Sequence, residues 1–84
     1  MPIDYSKLRS LTLRQLVRTL IKDGFQLARQ KGSTRLFRHP DGRRVIIHFH
    51  KPSQTLKIGT LQEIIENEAQ WTEEDLKRLK LFRR

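Results

Sequence analysis

Three histidines, His39, His48 and His50, are the side chains of this sequence best suited to moving protons near neutral pH. His48 and His50 are two positions apart, and on a β-strand that spacing puts both on one face. Such a pair holds a metal only when a third ligand comes near, so one pair alone reads as two polar side chains on a solvated face, and no metal site is expected. His39 lies beside a turn. Among the acids, Glu63 has the chemistry of a general base, but Thr60 and Glu63 have the spacing of a capping box, which already accounts for it. Glu73, Glu74 and Asp75 are consecutive on a predicted helix and point in different directions. They complement the helix dipole better than they hold a cation. The chain has no Gly-rich phosphate loop and no serine-nucleophile motif, and no cofactor is expected.

The other chemistry-bearing stretch runs from Arg29 to Arg44 and is rich in cations: Arg29, Lys31, Arg35, Arg38, Arg43 and Arg44. It reads as two strands joined by a tight turn. Pro40 presets φ, Asp41 can bond the backbone ahead of it, and Gly42 accepts a positive φ. Gly32-Ser33 punctuates the other end, where the chain reverses or bulges. Cations flanking a hairpin offer a track for a polyanion.

Charge supports that reading. The 84 residues carry 18 Lys/Arg and 9 Asp/Glu, a net +9. Residues 1–59 hold 13 basic and 3 acidic side chains, whereas residues 60–84 hold 5 and 6. An excess concentrated in one part of a small chain points to nucleic acid, with a basic surface for an acidic protein as the alternative. There is no Cys, which excludes disulfides and thiolate metal sites and fits a reducing compartment. No apolar run approaches the roughly 18 residues of a membrane span. Met1-Pro2-Ile3-Asp4-Tyr5 lacks the basic-then-apolar order of a signal peptide, so the expected location is the cytoplasm.

The elements that position these groups follow from periodicity. Residues 1–11 show no period. Thr12 and Gln15 have capping-box spacing, and Leu13, Leu16, Val17, Leu20 and Ile21 make one apolar stripe, so a first helix runs to a Gly24 cap against which Phe25 folds back. Strands are predicted at Phe25–Lys31, Thr34–Arg38 and Arg43–Phe49. In the third, Val45, Ile47 and Phe49 face the core, and Arg44, Ile46, His48 and His50 face outward. A loop with Pro52 and Ser53 leads to a second helix starting near Leu61, capped by Thr60, with Leu61, Ile64, Ile65 and Ala69 buried. After Trp71, Thr72 caps a third helix packed by Leu76, Leu79 and Phe82. With no internal repeat or linker, residues 1–84 read as one domain. Its class is α+β: α-β-β-β-α with an antiparallel sheet, helices on one face, and an extra C-terminal helix.

These residues resemble a known family. The runs Ile21-Lys22-Asp23-Gly24-Phe25, Arg29-Gln30-Lys31-Gly32-Ser33, His39-Pro40-Asp41-Gly42-Arg43-Arg44-Val45 and Lys57-Ile58-Gly59-Thr60-Leu61, followed by Ile64-Ile65, are similar in order and spacing to the HicA/YcfA-like toxins. The similarity covers roughly residues 7–69. It implies a fold like that of a double-stranded-RNA-binding domain. It also implies metal-independent endonuclease cleavage of mRNA that blocks translation, and neutralisation by a HicB-like antitoxin. DNA would be met only indirectly, through the antitoxin.

One position departs from the pattern. The family reads Gly-Ser-His, with that His catalytic, and this chain has Thr34 there. A threonine hydroxyl cannot do the proton transfer of an imidazole near neutral pH, a contribution of about 10²–10⁴-fold. Thr34 can still hydrogen-bond a phosphate or ribose. The expectation is an RNA binder that is inactive or weakened as a nuclease. Three accounts stand open: an engineered inactivation, a natural variant that binds but cuts poorly, or another histidine acting instead. His50 matches a histidine common in the family and implies a supporting role. His48 stands where the family often has Pro, so nothing carries over to it.

RNA is therefore expected across Lys31, Ser33, Thr34, Arg35 and Arg38, with Arg43, Arg44 and His50 adjoining, read through backbone and 2′-hydroxyl contacts. The alternative is a non-catalytic module whose basic face docks RNA or an acidic antitoxin.

Overall fold

The computed structural model describes residues 3, 5–8, 10–51 and 53–81. Pro52 and Phe82, expected in the loop and in the packing of the last helix, lie outside the described residues, as do Met1, Pro2 and Asp4.

A 3-10 turn, Tyr5–Leu8, opens the chain and delivers Leu8 and Leu11 to the core. The sequence had shown no period there. Helix α1 is Leu13–Asp23. Its start is the predicted capping box: the Gln15 N–H donates to Thr12 Oγ1 (3.2 Å) and the Thr12 N–H donates to Gln15 Oε1 (2.9 Å). Its end is a Schellman turn, with Gly24 at φ 110° donating to the Ile21 carbonyl and Phe25 donating to the Leu20 carbonyl (2.9 Å). Leu13, Leu16 and Leu20 are fully buried, but Ile21, assigned to the same stripe, is 57% exposed. At eight positions from Leu13, a 3.6-residue period has carried it off the buried face.

Strands β1 (Gln26–Lys31), β2 (Thr34–Arg38) and β3 (Arg44–His48) form one antiparallel sheet in that order. β1 and β3 are each slightly shorter than the sequence suggests. Lys31 pairs with Thr34 across the two-residue loop Gly32-Ser33, and the positive φ of Gly32 (59°) matches the φ pattern of a II′ hairpin turn. The register shifts between Leu27 and Arg29, so the sheet's bulge falls inside β1 and not at Gly32-Ser33. The β2–β3 turn closes through Gly42 N–H to the His39 carbonyl (2.9 Å), with Gly42 at φ 102°.

Helix α2, Ile58–Gln62, runs directly into a π-helical segment, Glu63–Glu68. Here the expectation fails. The helix begins at Ile58, its N-cap Lys57 makes no side-chain cap bond, and Thr60 lies inside it. Glu63 accepts instead from Asn67 Nδ2 (2.7 Å). The expected apolar face survives, with Leu61, Ile64, Ile65 and Ala69 buried. The wider winding shows in the Ala69 N–H bond to the Ile64 carbonyl, five residues back (2.7 Å). It ends with Gln70 at φ 57°. Helix α3, Glu73–Arg78, has its predicted Thr72 cap, reciprocated by Asp75.

One core joins these layers. Phe37, Val45 and Ile47 from the sheet meet Leu13, Leu16, Leu20, Leu61, Ile64, Ile65, Trp71, Leu76 and Leu79 from the helical side. The helices therefore cover one face of the sheet and leave the other to solvent, the layout of an α+β sandwich. β3 is an edge strand, and Glu68 Oε1 accepts the Ile46 N–H on that edge (2.8 Å).

Candidate nucleic-acid interface

Antiparallel partners share a sheet face. The solvent face accordingly carries Arg29 and Lys31 from β1, Thr34, Leu36 and Arg38 from β2, and Arg44, Ile46 and His48 from β3. Its middle is apolar, with Leu36 half-buried and Ile46 49% exposed. Its ends are polar: Arg38 faces Arg44 at one, and Lys31, Thr34 and His48 gather at the other. Lys31, Arg38 and Arg44 are exposed and form no ion pair among the described residues. Such free cations are what a phosphate backbone engages.

Thr34 and His48 are direct cross-strand partners. The flanking residues exchange the backbone bonds, since Phe49 donates to the Ser33 carbonyl (2.6 Å). Thr34 and His48 are thus a non-hydrogen-bonded pair, the kind whose side chains approach most closely. Thr34 Oγ1 and His48 Nδ1 lie 3.2 Å apart, and nothing else among the described residues bonds the imidazole.

Two of the expected contacts fall elsewhere. Arg35 pairs with Ile47, which puts it on the opposite face from Thr34. Its guanidinium stacks 4.0 Å from the centre of the Phe49 ring, with Nε buried and without a hydrogen bond. Arg43 is committed to structure. Its Nη2 lies 3.3 Å from Asp23 Oδ2, its Nε 2.8 Å from Asp41 Oδ2, and its Nη1 donates to the Ala69 carbonyl (2.6 Å). Ser33 is exposed in the turn.

His39 is occupied as well. Nε2 donates to the Asp23 carbonyl (2.8 Å), Nδ1 lies 3.1 Å from the Asp41 N–H, and the ring meets Phe25 edge-on. His50 is exposed and lines an open groove of about 870 Å³ between the β3 edge and α2, shared with His48, Lys57, Glu63 and Glu68. No group of three or more His, Cys, Asp or Glu among the described residues could hold a metal ion.

His48 is the residue that sequence reasoning set aside. The signal was available: counting seven residues each way from Asp41, the middle of the predicted turn, reaches Thr34 and His48.

On α1, the exposed Arg14, Arg18 and Lys22 belong to the helical layer, away from the solvent face of the sheet. No helix of the described residues is long and apolar enough to cross a membrane.

Residues 13–70 match the family model of the HicA toxin of bacterial toxin–antitoxin systems. That span runs from the first residue of α1 to just past the π-helical segment and includes the whole sheet. A comparison with curated proteins gives no match.

Proposed function

Because this chain belongs to the HicA toxin family of bacterial toxin–antitoxin systems, we propose that it binds messenger RNA across the solvent face of its sheet and arrests translation as an endoribonuclease. The observation that carries this reading is the set of unpaired cations, Lys31, Arg38 and Arg44, placed on one face around the Thr34–His48 pair. Phosphates meet the cations at either end. The apolar strip of Leu36 and Ile46 lies between them, where an unstacked base or a sugar can rest. Thr34 has a hydroxyl for a phosphate oxygen but moves no proton itself.

A HicB-like antitoxin would neutralise the toxin by covering this face, which is both cationic and partly apolar and so suits an acidic partner with a few apolar side chains. DNA would be reached only through that partner. The working compartment is the cytoplasm, where mRNA is found.

The test is RNA binding by the purified chain at 50 and 200 mM salt. Neutralising several phosphates predicts an affinity that falls steeply with salt, with log K declining by about 0.7 per phosphate contact per log unit of salt for a single strand. Reversal of Arg38 or Arg44 should weaken binding and flatten that slope. Binding that is negligible at low salt, or unaffected by both reversals, refutes the assignment of RNA to this face.

A further inference from the structure

We propose that His48 is a catalytic residue of this face, with Thr34 as the residue that positions it. The proposal rests on the ribonuclease reading above and names the group that would carry the proton.

The three histidines are not equivalent. His39 has both ring nitrogens engaged by backbone or carboxylate partners and only 17% of its side chain exposed, so it has no lone pair to offer a substrate. His50 is exposed, but nothing among the described residues fixes its ring. His48 is exposed and oriented: Nδ1 lies 3.2 Å from Thr34 Oγ1, and Nε2 has no hydrogen-bond partner among the described residues, on a strand position that shares its face with Lys31, Arg38 and Arg44. A general base needs both properties, reach to the substrate proton and a fixed aim.

The pairing also sets the chemistry. In the tautomer that the step requires, Nδ1–H donates to Thr34 Oγ1 and Nε2 holds the free lone pair. Nε2 takes the proton of an RNA 2′-hydroxyl. The 2′ oxygen forms a bond to the adjacent phosphorus, and the bond from phosphorus to the 5′ oxygen breaks. The departing oxygen takes a proton from water. The products are a 2′,3′-cyclic phosphate and a 5′-hydroxyl, with His48 left protonated against the Thr34 oxygen. Lys31, cross-strand from Thr34, is placed to meet the charge on the phosphate oxygens. The hydroxyl hydrogen of Thr34 is then also free to bond a phosphate oxygen.

Because directly opposed side chains have Cβ atoms about 4.5–5.5 Å apart, an imidazole on either strand serves nearly the same point above the sheet. The chain would thus hold its proton-transfer group on β3 instead of β2.

The experiment measures cleavage of one labelled mRNA in EDTA under single-turnover conditions, with RNA affinity and thermal unfolding measured on the same preparations. The variants are His48→Gln, His48→Ala, Thr34→Val, and the exchange Thr34→His with His48→Ala. The parent should cut and leave a cyclic phosphate end. His48→Gln, an exposed change of similar size, should lose about 10²-fold or more in rate, with affinity and melting little changed. It should also lose the acid limb of the rate–pH profile. The groups facing His48 that bear on that limb are Lys31 from β1 and His50, Lys57, Glu63 and Glu68 around the groove. Thr34→Val should slow cleavage less than His48→Gln and shift the acid limb. The exchange variant should recover activity that His48→Ala alone lacks.

Equal cutting by parent and His48→Gln overturns the proposal while the ribonuclease reading stands. A parent that binds RNA and does not cut it overturns the proposal and leaves an RNA-binding toxin. A parent that neither binds nor cuts refutes the functional reading and this proposal with it.

Discussion

Asp23 and Trp71 stand 48 positions apart in the chain and are joined by a 2.9 Å hydrogen bond from the indole Nε1 to a carboxylate oxygen. The same carboxylate, 6% exposed, accepts from Arg78 (2.9 Å) and faces Arg43 (3.3 Å). The end of α1, the start of β3, the approach to α3 and α3 itself are all held at this one group. Asp23→Ala leaves a buried indole N–H without its acceptor and removes the carboxylate facing Arg43 Nη2. The expected loss is roughly 3 kcal/mol, read as a fall in the denaturant midpoint at unchanged m-value. A loss under about 0.5 kcal/mol, the size of an ordinary surface change, would deny the cluster its structural role.

Acid should unfold the protein through the same group. Burial alone would push the Asp23 carboxyl up, but bonds from Trp71 and Arg78 and the charge of Arg43 outweigh it and hold it below the usual carboxylate range. Asp75 is held low by the Thr72 N–H, against the opposing effect of burial, and by Arg78. With folded values below the unfolded value of about 3.9, these groups contribute fully above that pH, and the contribution disappears as pH falls through the folded values. Melting temperature should be level above about pH 5 and drop below about pH 4. Asp23→Asn should have a shallower acid decline. An equally steep decline in that variant would place the acid sensitivity elsewhere.

The two faces of β2 should separate binding from stability. Arg38→Glu should weaken RNA binding and lower its salt slope by about one contact. Arg35→Ala should leave RNA binding nearly intact and cost about 1 kcal/mol through lost stacking on Phe49. The reverse pattern would move the interface to the edge of the sheet near Phe49.

Cap residues give a clean comparison. Thr12→Ala and Thr72→Ala each remove an observed cap and should cost about 1 kcal/mol. Thr60→Ala, inside α2, should fall within about 0.5 kcal/mol of the parent. Urea unfolding of the three variants tests the set, and a Thr60 cost equal to the others would restore it as a cap.

Gly24→Ala should destabilise the helix end although it adds only one methyl group. The position has φ 110°, and an added Cβ would come 2.8 Å from His39 Nε2. Strain of this kind costs about 1–3 kcal/mol, and hydrogen exchange should show the Pro40–Gly42 turn loosening along with the helix end.

Most of the fold was legible because its signals are local. The leucine period, the Thr12–Gln15 and Thr72–Asp75 caps, Gly24 and Pro40-Asp41-Gly42 each dictate backbone geometry within a few residues. The second helix starts earlier than its pattern indicates because Thr60–Glu63 has the spacing of a capping box without its geometry. Spacing does not encode whether the chain already turns helically at Ile58. The site was legible in composition and less so in arrangement. Lys31, Arg38 and Arg44 fell on one face, but Arg35 turned away because side chains alternate along a strand, and Arg43 was claimed by Asp23 from a distant part of the chain. His48 needed the register of a strand pair, a tertiary fact that becomes countable only once the turn between the strands is trusted.

The Glu68 bond to Ile46 has a consequence for how copies of this protein meet. A sheet that stops at an exposed, partly apolar strand invites a neighbour to continue it, and β3 is such a strand. Here the donor at its middle already holds a carboxylate from its own chain. An arriving strand must expel that charge and then either bury it or leave it crowded against the new backbone. The tether therefore acts as a gatekeeper on the β3 edge, opposing its use as a template by another copy.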